Sequence, residues 1–140
     1  MALIDANLMR VRASTTESGT YTNVGYVRSA DYTRGREGST TVRYFGGDAT
    51  KAGGKTLSGS MPVWYDREEA GQKILRDAYT ADTHVFLQFC PDGTEAGAKV
   101  EQFEAVVDEV GFSVDSEGEF AEGSLTFTGT PSTFKIVTLA

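Results

Sequence analysis

One segment of this 140-residue chain has the pattern of an α-helix, and it is short. Residues 66–79 read DREEAGQKILRDAY, in which Asp66 and Glu69 resemble a capping box at the helix start. A helix of this length is marginal alone in water, so its apolar stripe must lie against a sheet. The helical spacing assigns Gln72 and the charged residues to the solvent face and the following residues to the stripe: Ala70, Gly71, Ile74, Leu75 and Ala78.

The rest of the chain has the pattern of strands joined by glycine-rich turns. It is rich in Gly, poor in Pro and well supplied with Tyr, Phe, Thr and Val, which favours β structure. The alternation of apolar and polar residues predicts seven to nine strands on both sides of the helix. We therefore expect one mainly β domain spanning 1–140, a two-sheet sandwich or partial barrel flanked by the helix at 66–79. The strands expected lie near residues 9–14, 21–30, 39–45, 57–65, 83–90, 97–109, 112–115, 124–130 and 134–139.

Residues 31–56 differ in composition from the strands around them. They combine several glycines with one good strand pattern at 39–45. A loop of this length is uncommon in a compact domain unless it binds something, and Arg and Tyr are enriched at protein interfaces. We name this segment the arm and predict that it contacts a neighbouring protein through Arg34, Arg36, Arg43, Tyr44, Lys51 and Lys55.

Charge is distributed unevenly along the chain, which carries −7 in total. Residues 1–70 hold nine bases and eight acids, whereas residues 71–140 hold four bases and twelve acids. Such a chain repels nucleic acid rather than binding it by counterion release. Cys90 is the single cysteine, which fits a reducing cytoplasm. The N-terminus lacks a signal-peptide pattern, and no apolar run reaches membrane-spanning length.

Motifs that carry chemistry are weak in this sequence. Gly53-Gly54-Lys55-Thr56 ends like a phosphate loop, but its first glycine is replaced and a strand follows it. Residues 115–119 space three acids like a calcium loop without the required glycine or flanking helices. His84 and Cys90 lack the context of a catalytic base or nucleophile. We expect no catalytic residues, no cofactor and no metal site, and therefore no enzyme.

The strands after Lys99 have one apolar face and one face of acids and threonines. The residues singled out on the second face are Glu104, Asp108, Thr126 and Thr128. If several copies form a ring with this face inward, the bore is hydrophilic and negative, and DNA passes through it without sticking. The basic arm then reaches an acidic surface on a neighbouring copy, where opposite charges set the register of assembly.

The order of elements resembles the tail tube proteins, or major tail proteins, of long-tailed bacteriophages with non-contractile tails. The residues that carry the resemblance are the strand YTNVGYV at 21–27, the long arm, LSGS at 57–60, the acid-capped helix at 66–79, VFLQF at 85–89 and PDG at 91–93. These patterns cover most of the chain.

The resemblance implies a β-sandwich with a flanking helix that assembles into homohexameric rings stacked into a hollow tube. It implies that sheets of the six subunits join into an inner barrel, that the arm contacts adjacent rings and that the acidic face lines the bore. It further implies tape-measure, tail-tip and tail-terminator proteins as partners, no membrane, assembly in the host bacterial cytoplasm and a final location in the virion tail.

Three other functions remain open at the level of sequence. The inner tube of a contractile tail or of a related injection machine shares the fold, and a neighbouring sheath gene would distinguish it. A monomeric binding module, such as a carbohydrate-binding sandwich, is expected to expose clusters of Trp and Tyr, whereas this chain has one Trp. An enzyme is disfavoured by the weak motifs above.

Overall fold

The computed structural model describes residues 9–114, 118 and 120–140. Ten strands and one α-helix follow one another in this part of the chain, with a 3-10 turn at Pro131–Thr133. The elements are β1 Arg10–Ser14, β2 Thr22–Asn23, β3 Asp31–Arg36, β4 Thr40–Tyr44, β5 Gly47–Lys51, β6 Lys55–Trp64, α1 Ala70–Ala81, β7 Val85–Cys90, β8 Lys99–Ser113, β9 Glu122–Gly129 and β10 Lys135–Thr138.

Eight strands form one sheet in the order β2-β1-β7-β8-β9-β6-β3, with β10 also paired to β8. All the pairs are antiparallel. The sheet curls on itself, because Tyr32 of β3 contacts Phe89 of β7 with ring centroids 4.9 Å apart. Alternate residues of every long strand point into the enclosed core, which is centred on Phe89, Phe103 and Phe127.

Strand β8 connects the two layers of the curled sheet, because it pairs with different strands along its length. Its first part pairs with β7 on one side and with β10 on the other, and from Ala105 onward it pairs with β9. The register shifts between Val107 and Glu109, which marks a bulge at Asp108. The bend predicted near Gly111 therefore lies three residues earlier, and the two expected strands at 97–109 and 112–115 are one continuous strand.

Helix α1 lies against β1, β2 and β8 on the core side of the sheet. It begins later than predicted, because Asp66 caps the N–H of Glu68 in the preceding turn while the Glu69 carboxylate accepts from Gln72 N at 2.7 Å. Gly71, Leu75 and Ala78 are buried as expected, whereas Ala70 is exposed.

Gln72 was predicted on the solvent face and is in fact fully buried. Its amide nitrogen donates to the carbonyl oxygens of Gly25 and Trp64 at 2.8 and 2.9 Å, and its amide oxygen accepts from Asp66 N at 3.1 Å. These bonds satisfy backbone groups at the ends of three segments, which explains why a polar side chain is buried at this position.

The fold class is confirmed: the described chain is mainly β, with two sheets and one flanking helix. The arm is more ordered than the predicted loop. Its first residues form β3 of the main sheet, its last residues begin β6, and β4 and β5 form a separate two-stranded sheet between them. The calcium-loop-like acids Asp115, Glu117 and Glu119 lie outside the described residues.

Candidate assembly surfaces

The outer face of β3, β6, β9 and the second half of β8 is a surface of hydroxyl and acidic side chains. Strand register sets these residues side by side in rows across the four strands. One row runs Thr33, Ser58, Thr128 and Val106; the next runs Asp31, Ser60, Thr126 and Glu109; a third holds Pro62, Ser124 and Gly111. We call this surface, with Asp108, the polar face.

Hydrogen bonds within the polar face tie its strands together. Thr128 donates to the Asp108 carboxylate, and Ser60 N donates to Asp31 Oδ1 at 3.2 Å. No Lys or Arg stands in the three rows. The base beside them, Arg28, is paired with Glu122 at 2.8 Å. The face therefore presents negative charge and neutral hydroxyls, which a polyanion contacts without binding.

Three of the four residues predicted to face the bore lie together on this surface, and the fourth lies apart. Asp108, Thr126 and Thr128 are neighbours on the polar face. Glu104 has the same orientation on β8 but lies opposite Phe86 of β7, where its carboxylate contacts His84 Nδ1 at 2.6 Å. Glu104 thus contacts His84 at the surface rather than contributing to the hydroxyl rows.

The polar face ends at two open strand edges. Strand β3 pairs with β6 on one side only, and β7 leaves β8 at Ala105, so residues 106–113 of β8 pair with β9 alone among the described strands. Unpaired N–H and C=O groups at such edges are templates for strands of another chain. The four-stranded segment β3-β6-β9-β8 can therefore be extended from either side by further copies.

The β4–β5 hairpin, residues 40–51, projects from the end of β3 and β6. All residues of both strands are exposed. Glu37 N donates to Gly54 O at 2.8 Å, which continues the β3–β6 pairing into the base of the hairpin. Gly46, at φ 101°, closes the turn with a backbone conformation that glycine adopts readily.

The six predicted arm residues divide between the hairpin and its base. Tyr44 and Lys51 are exposed on the hairpin, where Arg43 lies 3.8 Å from Asp48. Arg34, Arg36 and Lys55 line a cleft of about 440 Å³ at the base. Among the described residues, no carboxylate lies within 4 Å of these three bases.

Contacts at the base fix the arm to the core. The Arg34 guanidinium lies 3.9 Å from the centre of the Phe134 ring, and Arg36 Nη1 donates to Gly53 O at 3.2 Å. The hydroxyl of Tyr32 donates to the Glu101 carboxylate, and burial together with this bond raises the pKa of Tyr32. Bases without an acidic partner in the part of the chain that the structure describes are suited to an acidic surface of another copy.

Sequence reasoning missed two groups of residues on these surfaces. The alternating Ser58 and Ser60 belong to the polar face, and their alternation with Leu57 and Met61 is a signal that could have revealed them. The second group is a cluster of exposed aromatic side chains at Tyr26, Trp64 and Phe120. Nothing local in the sequence shows that these three distant positions meet.

The residues weighed for chemistry have structural partners. His84 pairs with Glu104, and Cys90 is buried, which raises the pKa of its thiol. The described residues contain no group of three or more Cys, His, Asp or Glu side chains arranged to hold a metal ion. None of the helices in the described ranges is long and apolar enough to cross a membrane.

Solved structures with the same architecture come from tails and injection machines. The chain superposes on a subunit of the SPP1 tail tube with a TM-score of 0.76 over 97% of its length and 80% of that chain, at 14% identity. It superposes on the tail of an empty gene transfer agent particle, refined with C6 symmetry, with a TM-score of 0.71 at 13% identity, over 97% and 98% of the two chains. The chain has the tail tube fold.

The tail tube fold extends to contractile machines. The sheath-tube complex of the extracellular contractile injection system PVC matches with a TM-score of 0.66 at 10% identity, over 98% of this chain and 93% of the other. No protein-family model and no curated protein sequence matches the chain. The predicted resemblance to tail tube proteins is therefore confirmed through the fold.

Proposed function

We propose that this chain is the structural subunit of a phage-type tail tube. Six copies form a ring, the rings stack into a hollow tube, and the tube conducts DNA when the particle ejects its genome. Its role is structural rather than catalytic. The mature protein resides in the virion tail after assembly in the host bacterial cytoplasm.

The polar face carries this proposal. A tail tube fold with a four-stranded segment open at both edges suits lateral joining of copies into a closed barrel, which removes the unpaired edges. Among the described strands, the face exposed by that segment holds Ser, Thr, Asp and Glu without a base in its rows. We assign this face, including Asp108, Thr126 and Thr128, to the bore.

The arm supplies contacts between successive rings in this proposal. Its hairpin is exposed, and Arg34, Arg36 and Lys55 at the base of the hairpin have no carboxylate partner among the described residues. Tape-measure, tail-tip and tail-terminator proteins would set the length and the ends of the tube. DNA is a passing cargo rather than a bound ligand.

Negative-stain microscopy of concentrated purified protein tests the function. We expect rings or tubes roughly one hundred ångströms wide, as six domains of this size would form. Addition of tail tips should accelerate growth if a nucleus is required. Monomer that persists at all concentrations, with and without tail tips, would refute the tube.

Removal of the hairpin tests the role of the arm separately. A variant lacking residues 36–54 should fold, because the residues of β4 and β5 are exposed, yet it should not form stacked tubes. Circular dichroism reports the fold, and microscopy reports stacking. Tubes of normal length from this variant would show that ring stacking does not depend on the arm.

The inner tube of a contractile injection machine is the second candidate, because the PVC tube complex shares the fold. The two functions differ in whether a sheath surrounds the tube. A sheath gene beside the gene for this chain, or sheath protein that co-purifies with its tubes, would favour the second candidate.

A further inference from the structure

An aromatic cleft lies at the end of β6 that leads into the helix. Tyr26, Trp64, Tyr65, Asp66 and Phe120 line a space of about 280 Å³. The Trp64 and Phe120 rings lie 5.7 Å apart, and both Tyr26 and Phe120 have about 60% of their surface exposed. Exposed aromatic side chains that surround a cleft are typical of a protein interaction site rather than of ordinary surface.

The backbone at Tyr26 is strained in a way that shapes this cleft. Tyr26 has φ 60°, a left-handed conformation that is unusual for a bulky residue. The conformation is held in place because Trp64 N donates to Tyr26 O at 2.8 Å and Arg28 N donates to Pro62 O at 2.9 Å. Such strain persists at binding sites, where the surrounding structure enforces it.

The tip of the β4–β5 hairpin has the complementary chemistry. Phe45 is fully exposed at the turn, and Val42 and Tyr44 beside it are more than half exposed. Arg43 supplies positive charge next to them, and it is almost fully exposed. The apolar tip matches the aromatic cleft, where Arg28 lies 4.4 Å from the Trp64 ring but is paired with Glu122, so the Asp66 carboxylate is the charge on the rim that suits Arg43.

The tip and the cleft lie at opposite ends of the same strand. The hairpin joins β6 at Lys55, and the cleft begins at Trp64, nine residues and about 30 Å further along. The tip therefore cannot reach the cleft of its own chain. A tip that binds the cleft of another copy makes a head-to-tail contact, which repeats without limit and builds a stack.

We propose that Phe45 of one copy inserts between Tyr26, Trp64 and Phe120 of a copy in the adjacent ring. This inference rests on the proposed tube and names the surface that receives the arm. Each chain then gives one tip and accepts one tip, so the stack has a direction. In this arrangement, Arg34, Arg36 and Lys55 at the base of the hairpin attract the acidic surface of the adjacent ring as the two rings approach.

Cross-linking tests the contact directly. A chain carrying both Phe45→Cys and Phe120→Cys should form a ladder of covalent multimers on mild oxidation at a protein concentration well above the threshold that loss of the Phe45 ring imposes, because every copy has one donor and one acceptor position. Cys90 is buried and stays unreactive. The control pairs Phe45→Cys with Ile136→Cys, which is equally exposed on β10 and should give no ladder.

Assembly of the single variant Phe45→Ala provides the second measurement. Loss of an inserted aromatic anchor should raise the protein concentration needed for tube formation about tenfold. Phe45→Tyr should restore assembly, and Tyr79→Ala, which removes an exposed aromatic on the helix, should leave it unchanged. Trp64 is the single tryptophan, so its fluorescence should shift to the blue when wild-type tubes form.

The outcomes separate the two proposals. A ladder from the Phe45→Cys, Phe120→Cys variant together with the assembly defect of Phe45→Ala supports insertion of Phe45 into the aromatic cleft. Wild-type tubes without a ladder, and with Phe45→Ala assembling at the wild-type concentration, overturn the insertion and leave the tube standing. If the wild-type protein forms no tubes and the Phe45→Cys, Phe120→Cys variant forms no ladder, both proposals are overturned.

Discussion

Replacement of the buried Gln72 tests how the helix is attached to the sheet. Gln72→Ala leaves three backbone groups without their partners, the carbonyl oxygens of Gly25 and Trp64 and the N–H of Asp66. A buried polar group left without a hydrogen bond costs about 1–3 kcal/mol. These groups are part-buried, so the lower part of that range applies to each, and the free energy of unfolding should fall by about 3–5 kcal/mol.

That loss is a large share of the stability of a single domain, which is typically about 5–15 kcal/mol. With a urea dependence of about 2 kcal/mol per molar, the unfolding midpoint should move down by roughly 1.5–2.5 M. The measurement uses monomer below its assembly concentration, with unfolding followed by Trp64 fluorescence and by circular dichroism. Trp64 is well placed because its own carbonyl is one of the groups that Gln72 binds.

Two further variants sharpen the test. Lys73→Ala removes the exposed neighbour of Gln72 and should move the midpoint little. Gln72→Glu keeps an acceptor for Asp66 N and Arg76 Nη1 but cannot donate to the two carbonyl oxygens, so it should also unfold at a lower urea concentration than the wild type. A Gln72→Ala midpoint within 0.5 M of the wild-type value, a margin of about 1 kcal/mol, would refute the assignment.

Three other substitutions follow from contacts described above. Gly71→Ala places a Cβ 2.4 Å from a backbone oxygen at β2 and should lower the free energy of unfolding by about 1–3 kcal/mol in the same urea titration. Asp108→Lys should spare tube assembly and slow DNA release from assembled particles, whereas Tyr79→Lys on the helix should not; equal release rates would remove Asp108 from the bore. Tyr32→Phe leaves the Glu101 carboxylate without its donor and should destabilise the monomer. Since the folded-state pKa of Tyr32 is raised, wild-type stability falls as the pH rises above about 10, and this alkaline loss should be shallower in Tyr32→Phe.

Local sequence patterns predict the strands and the helix of this fold well. They fail where contacts between residues far apart in the sequence determine which side chains are buried. The apolar face expected for the strands after Lys99 is confirmed in β8, where Phe103, Ala105 and Val107 are buried in the core. Gln72 was placed in solvent because a polar residue on a helix is exposed by default. Its burial depends on carbonyl groups of Gly25 and Trp64, which no spacing rule connects to it.

The arm shows the same limit. Residues 31–36 look like part of a loop because glycine and charged residues dominate them, yet their pairing with β6 makes them a strand of the main sheet. The predicted bore residues Asp108, Thr126 and Thr128 are neighbours, while Glu104 lies apart from them, opposite Phe86 and in contact with His84. Whether that face lines a bore stays a prediction.

The segment between the open edges of β3 and β8 contains four strands, so the diameter of a ring changes only in steps of four strands. If each copy adds four strands, a barrel of six copies has about 24 strands; at a spacing of about 4.8 Å and a tilt of about 40°, its diameter is about 48 Å. Adding or losing one copy changes that diameter in a single step of about 8 Å, with no intermediate value. A tube built this way cannot taper or swell gradually. A ring with one copy too many or too few therefore differs in diameter from the next ring by a large step, and the two cannot stack. The number of strands in each copy thus fixes the diameter of the channel.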